Sequence, residues 1–311
     1  MAVSVAICGS VNIDVTAFSP RLPRAGETVH GSRYSMSLGG KGANQAAAVA
    51  RLGARASFIG RVGADSFGDL ARARLTEFGV DTTHLVTDPA AATGVALIAV
   101  DDRAENSIIV VGGANLSIDR GDVEHASGLL HEARVLLLQL EIPLAAAFAA
   151  AFAAAATTRA AGGLVVLDPA PAPPGGLPDA AFNAADVITP NEVETEALVG
   201  IKPVTRIQAA DAAGRLVARG ARAAVVKMGA RGVFYRDATG EGFVQPFPVA
   251  AINSVGAGDC FNGGLAVALA RGEPFAAAVR FAAACGALAT TGSGGAASAP
   301  TLAAVEDLLR G

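Results

Sequence analysis

Short, evenly hydrophobic runs alternate with helical patterns along almost the whole chain, and this rhythm narrows the possible folds more than any other feature. The runs Val3–Gly9, Val135–Leu140, Leu164–Leu167, Val187–Thr189 and Ala223–Lys227 are rich in apolar residues at successive positions, as strands buried on both faces must be. Helical patterns lie at Ala43–Leu52, Phe67–Phe78, Leu144–Ala161, Glu192–Leu198, Ile207–Arg219, Asp259–Ala270 and Phe275–Thr290. Strands that alternate with helices predict an α/β fold, with a mostly parallel sheet covered on both faces. Ligands of such sheets sit at the carboxyl ends of the strands.

One region breaks the rhythm. Thr93–Val100 and Asn106–Val111 are two strand-like runs joined by the polar turn Asp101-Asp102-Arg103-Ala104-Glu105, which reads as a hairpin. Thr28–Met36 is also extended in character. Strands without intervening helices predict a small second sheet, the alternative being a decorative hairpin. No internal repeat or linker appears, and the Pro/Gly-rich stretch Asp168–Pro178 reads as a loop rim.

Composition removes several functional classes. Hydrophobic residues make up 52% of the 311 and charged ones 17%, which supports a large core and rules out disorder. The net charge of -4, from 24 basic and 28 acidic residues without a basic run, argues against a nucleic-acid partner. Cys8, Cys260 and Cys285 are odd in number and far apart, which fits a reducing cytoplasm rather than a disulfide framework. The amino terminus lacks the basic and apolar regions of a signal peptide. The stretch Leu144–Gly163 is mainly alanine, a strong helix former but a weak membrane anchor, so no membrane association is expected. The four histidines lack metal-ligand spacing.

Three segments carry chemistry. Gly9-Ser10-Val11-Asn12-Ile13-Asp14 follows the first strand, and alternation turns the side chains of Asn12 and Asp14 the same way if the chain stays extended. An amide beside a carboxylate suits a row of sugar hydroxyls, although Asx-turn chemistry explains the same residues. Leu38-Gly39-Gly40-Lys41-Gly42-Ala43-Asn44-Gln45 is a glycine turn opening a helix. It is not a Walker A loop, because Ser35 and Gly42 stand where glycine and Ser/Thr are required. Its free N–H groups suit an oxygen-rich ligand, or the segment is simply a tight strand-to-helix connection. Asn253-Ser254-Val255-Gly256-Ala257-Gly258-Asp259 is the strongest signal. Small residues at a helix start admit an anion to the backbone N–H groups, and a carboxylate beside that hole fits phosphoryl transfer. The plainer reading of Asp259 is a first-turn aspartate complementing the helix dipole. Phe261 at the last glycine position breaks the dinucleotide fingerprint, which disfavours a dehydrogenase. A non-catalytic sugar-binding protein would not need a base beside an anion hole.

Taken together, GSVNID, LGGKGANQAAAVARLGA, TGVALI with its hairpin, GGAN, LLLQLE, TPNEVE and GAGDCFNGGLAVAL resemble, in order and over essentially the whole chain, the ribokinase family of phosphofructokinase-B-type carbohydrate kinases. The resemblance implies a three-layer ribokinase-like fold over residues 1–311, with a small β-sheet lid formed by about 12–40 and 93–112. It implies transfer of the γ-phosphoryl group of ATP, with Mg2+, to the primary 5-hydroxyl of D-ribose; the alternative acceptor is another sugar or a nucleoside, such as deoxyribose or pseudouridine. By position, Asn12, Asp14, Gly40, Lys41, Asn44 and Glu141 match sugar contacts, Asp259 the catalytic base, and Gly256, Ala257 and Gly258 the anion hole. Asn191 and Glu194 match the N-x-x-E motif that organises magnesium, through water at Glu194, and the phosphates. Lys227, Gly229 and Gly232 match the nucleotide turn. The lid also implies a homodimer. Asn253, Val255, Gly294 and Ser298 match a monovalent-cation (K+) site, but most members have aspartate where Asn253 stands, which predicts weak cation dependence. Ala283 replaces the Asn or His often found near the adenine.

Overall fold

The computed structural model describes residues 3–144 and 156–311. Nine strands form the central sheet: β1 (Ser4–Cys8), β4 (Arg55–Gly63), β5 (Leu85–Asp88), β8 (Val135–Leu138), β9 (Leu164–Leu167), β10 (Val187–Ile188), β11 (Ala223–Lys227), β12 (Val233–Asp237) and β13 (Gly240–Val244). Their order is β13-β12-β11-β10-β9-β8-β1-β4-β5. All neighbours from β11 to β5 are parallel, and β12 and β13 add an antiparallel edge. The chain first winds outward from β1 through β4 to β5, then returns to the other side of β1 at β8. The winding direction therefore reverses beside β1, and a crevice opens at the carboxyl ends there.

The unbroken hydrophobicity of the strands follows from burial on two faces. Val5 and Ile7 of β1 pack with helices α1 (Lys41–Arg51), α2 (Ser66–Glu77), α8 (Ala257–Ala270), α9 (Phe275–Ala289) and α10 (Leu302–Arg310). Ala6 and Cys8 point the opposite way, to the side of α3 (Arg120–His125), α4 (Ser127–Glu132), α5 (Asp179–Ala184), α6 (Glu192–Val199) and α7 (Arg206–Ala218). The same split divides Val135 and Leu137 from Leu136 and Leu138 on β8. Of the expected helix Leu144–Ala161, residues 145–155 lie outside the described residues, and 156–160 are helical.

The second sheet is present, in the order β3-β2-β6-β7, from β2 (Asn12–Phe18), β3 (Arg33–Gly39), β6 (Gly94–Val100) and β7 (Asn106–Val111). Its parallel β2–β6 pair joins two antiparallel ones. Asn12 and Asp14 thus belong to a strand, and the extended segment anticipated from Thr28 becomes a strand only at Arg33. β4, β5, β12 and β13 were not apparent in the sequence, because arginine, aspartate and glycine interrupt their apolar runs. The small sheet is tied to the large one at Asp65. That side chain caps α2 through Gly68 N–H (2.8 Å), and accepts from Thr93 N–H (2.8 Å) and Thr93 Oγ (2.7 Å) at the entry to β6.

Glycine sets how closely α1 approaches β1. A Cβ on Gly42 would stand 2.7 Å from Ser10 O and 2.9 Å from Ser10 N, both backbone atoms that cannot swing aside. Ala43 N–H donates to Ser10 O across the same contact (3.0 Å). Gly42→Ala is expected to destabilise the protein by about 1–3 kcal/mol, because helix and strand must separate to admit the methyl group. Urea unfolding of the variant measures the effect.

Candidate active site

The residues expected from the sequence to contact a sugar gather where β1 passes into β2. Asp14 pairs with Ser37 on β3, and its side chain reaches diagonally over Gly39, where a Cβ would fall 2.1 Å from Asp14 Oδ1. Asn12 Oδ1 accepts from Asn115 Nδ2 (2.7 Å), and Asn115 also holds the Val11 N–H and C=O (2.9 and 3.0 Å). Gly94 leaves room for this pair, since its Cβ would meet Asn12 Oδ1 at 2.2 Å. Glu141, after β8, accepts from Ser10 Oγ (2.5 Å) and from the Lys41 N–H (2.9 Å). Gly40 turns the chain into α1 with φ +85°. Burial pushes the Asp14 carboxyl up to about 6, and the neighbouring charge of Glu141 adds to the shift.

Asp259 is buried at the start of α8, 5% exposed, with a donor on each oxygen. Asn44 Nδ2 donates to Oδ2 (2.9 Å) and Gln45 Nε2 to Oδ1 (3.3 Å). Asn44 Oδ1 is itself buried with no partner, which leaves an acceptor available to a hydroxyl. Burial pushes the Asp259 carboxyl up; Lys41 and the Asn44 hydrogen bond oppose that, while Asp168 and Glu141 add to it. Burial alone would pull the Lys41 ammonium down, but the charges of Asp259, Asp168, Glu141 and Glu194 together raise it. Lys41 therefore stays charged beside the carboxylates.

The remaining residues line the ends of β10 and β11. Asn191 and Glu194 form a capping box on α6: Asn191 Oδ1 accepts from Glu194 N–H (2.9 Å), and Glu194 accepts from Asn191 N–H (2.7 Å) and Nδ2 (2.8 Å). Burial pushes the Glu194 carboxyl up, partly offset by Lys227. Lys227 Nζ pairs with Asp168 (3.2 Å) and lies 3.8 Å from where a Cβ on Gly258 would be. The turn that follows uses Gly229 (φ +54°) and Gly232 (φ +101°). Gly256 precedes α8 with φ +81°, packed so closely on Gly295 that a side chain would crowd its backbone (3.1 Å). The first-turn N–H groups that follow have no intrahelical acceptor of their own, and the Ala257 N–H instead reaches Ser254 O (3.2 Å) in the preceding loop.

Asn253 joins two loops. Its Nδ2 donates to Ser293 O (2.8 Å) and its Oδ1 accepts from Val255 N–H (2.9 Å). Val255 O accepts from Gly295 N–H (3.1 Å), and Ser298 Oγ from Gly294 N–H. The residues matching a cation site are thus brought together, but the Asn253 oxygen already serves an N–H donor.

Ser10, Gln45, Asn115, Gln139 and Asp168 also take part in this site, although sequence reasoning gave them no role. GGAN and LLLQLE were noted as segments, and the extra signal was a polar residue inside an otherwise apolar run. All five lie far from Asp259 in sequence, so only the assembled fold joins them.

The profile of the pfkB family of carbohydrate kinases matches residues 3–302. The chain is 38% identical over 301 residues to a ribokinase of Haemophilus influenzae, covering 97% of this chain and 96% of that one. It is 32% identical to a deoxyribokinase of Salmonella typhi, covering 96% of each. The Arabidopsis thaliana ribokinase complexed with ribose and ATP superposes with a TM-score of 0.89 at 31% identity, over 100% of both chains. With the family pattern running nearly from end to end, this chain belongs to the pfkB family of carbohydrate kinases.

Proposed function

We propose that the protein is an ATP-dependent kinase that phosphorylates the 5-hydroxyl of D-ribose, yielding D-ribose 5-phosphate and ADP, with the whole chain acting as one kinase unit under a β-sheet lid. The observation that carries this reading is the buried Asp259 carboxylate at a glycine-flanked helix start, beside the orphaned acceptor of Asn44. Asn12, Asp14, Gly40, Lys41, Asn44 and Glu141 supply donors and acceptors for the sugar hydroxyls. Asp259 takes the proton of the primary hydroxyl as its oxygen bonds to the γ-phosphorus. The bond from that phosphorus to the β–γ bridging oxygen breaks, and ADP carries away the electron pair. Gly256, Ala257 and Gly258 hold the charge on the moving phosphoryl group, with Lys227 alongside. Asn191, Gly229 and Gly232 border the nucleotide. Ribose is favoured by the ribokinase relative at 38% identity; a deoxyribose acceptor is the second reading, supported by the deoxyribokinase relative.

Magnesium fits the polar rim without a protein cage. Among the described residues no group of three His, Cys, Asp or Glu side chains is arranged to hold a metal, and Glu194 already accepts two hydrogen bonds. That suits an ion that keeps its waters and binds mainly through substrate phosphates, with Glu194 touching its hydration shell. Bound Mg2+ would neutralise phosphate charge. For K+ the donor set is poor, because the Asn253 amide lacks charge and already bridges the loops.

The lid leaves Tyr34, Leu97, Ile108, Ile109 and Val110 exposed, which supports a homodimer joined through this sheet. No helix among the described residues is long and apolar enough to cross a membrane. The three free, buried cysteines support a cytoplasmic location.

Asp259→Asn is expected to lower kcat by roughly a thousandfold or more, with a much smaller change in sugar affinity. Steady-state assays of ADP release on ribose, deoxyribose and nucleosides test both the base and the acceptor; more than about a tenth of the wild-type kcat in the variant removes the assignment. For Asp14, the alanine variant should raise the ribose KM about tenfold to a thousandfold and leave ATP binding unchanged. In the wild-type enzyme a carboxyl titrating at about 6 is protonated below that pH and loses its strength as an acceptor, so KM rises as pH falls through it. An Asp14→Asn variant lacks that limb. Activity without potassium is expected within about threefold of that in abundant potassium, tested against a bulky organic cation at constant ionic strength. A large saturable activation contradicts this, and Asn253→Asp should increase potassium sensitivity.

A further inference from the structure

Gln45 is fully buried next to Asn44, in a helix whose other interior residues are mostly alanine. A primary amide in such a place is costly unless its polar atoms are used. Here all are engaged: Oε1 accepts from Gln139 Nε2 (2.6 Å), while Nε2 donates to Asp168 (3.1 Å) and to Asp259 (3.3 Å). Two hydrogens thus meet two carboxylates. Gln139 is admitted by Gly9, where a Cβ would fall 1.8 Å from its Oε1. Asp168 is held on its far side by Lys227. The group spans the ends of β8, β9 and β11, with Gln45 at its centre.

The geometry points to Gln45 as a positioning residue for phosphoryl transfer, fixing the plane of the Asp259 carboxylate and anchoring it to the Asp168–Lys227 pair. This rests on the reading of Asp259 as the base. Asn44 alone grips one oxygen, and a carboxylate held there can still swing about its last torsion. The Gln45 donor on the second oxygen stops that rotation. It also stands between two buried carboxylates and gives one hydrogen to each. Gln45 has no exposed surface, whereas Asn44 and Asp259 keep 7% and 5%, so its loss should act on the chemical step rather than on sugar affinity.

Gln45→Met keeps length and volume while removing both donors and the acceptor. Its kcat is expected to fall about tenfold to a hundredfold, with the ribose KM within about threefold, because a base displaced by an ångström loses that much. The acid limb of kcat should also move to higher pH, since a donor to the ionised carboxylate has gone. The other groups acting on Asp259 stay in place: Lys41 from α1, Asp168 after β9, Glu141 after β8 and, beyond Asp168, Lys227 at the end of β11. In an Asp259→Asn background the same substitution should cost nothing more, as no base remains to be positioned. If Gln45→Met does not fold, Gln139→Met carries the test. It frees the Gln45 carbonyl and leaves both carboxylates and Asn44 untouched, and a fall of about three- to tenfold in kcat is expected. A folded variant with wild-type kcat and an unmoved acid limb overturns the proposal, as does a further full loss in the Asp259→Asn background. Near-wild-type activity of Asp259→Asn alone would instead remove the base assignment on which it rests.

Discussion

Four carboxylates, Glu141, Asp168, Glu194 and Asp259, converge on the strand ends, and the charge on Lys41 is what lets them do so. An isolated buried carboxylate takes up a proton rather than stay charged. At an effective dielectric of about 20, two unit charges about 4 Å apart interact by about 4 kcal/mol, so one misplaced ammonium would alter the protonation of several groups. Burial would neutralise Lys41 on its own; the carboxylates keep it charged, and it in turn opposes protonation of Asp259 and Glu194. Lys227 repeats the arrangement beside Asp168 and Glu194. The site is therefore a balanced set, in which Asp259 depends on Lys41, and Glu194 on both lysines.

The backbone puts those lysines in place. Lys41 opens α1, which can begin so near β1 only because Gly40 adopts φ +85° and Gly42 carries no side chain against Ser10. Lys227 ends β11, four strands from β1 in the same parallel sheet. Parallel strands all present their carboxyl ends on one edge, so residues as much as 215 positions apart become neighbours. The second sheet adds the rest from β2, whose Asn12 and Asp14 alternate onto one face. Small residues at Gly39 and Gly94 make the space those side chains occupy.

Asn253 illustrates how one atom alters such a balance. An aspartate there would present a second oxygen, where the amide presents an N–H to Ser293 O. The same two loops are thereby joined by a neutral hydrogen bond in place of a charge. The connection borders Gly256 and Gly295, whose close packing sets the start of α8.

The alternation of apolar runs and helical patterns determined the sheet and its two covered faces, because a strand buried on both sides has to be apolar throughout. The glycine turns and Asp259 were legible for a similar reason: backbone that approaches an anion tolerates few residue types. Strands β4, β5, β12 and β13 were not, since their polar and glycine positions carry no periodic signal and pairing partners stabilise them. Gln45, Gln139 and Asp168 were hidden more deeply. Each is a buried polar residue, and what it does depends on distances between segments that only packing sets. Sequence determined which groups the chain carries to the strand ends; the tertiary structure decided which touch, because hydrogen bonds and ion pairs act over a few ångströms between residues far apart along the chain.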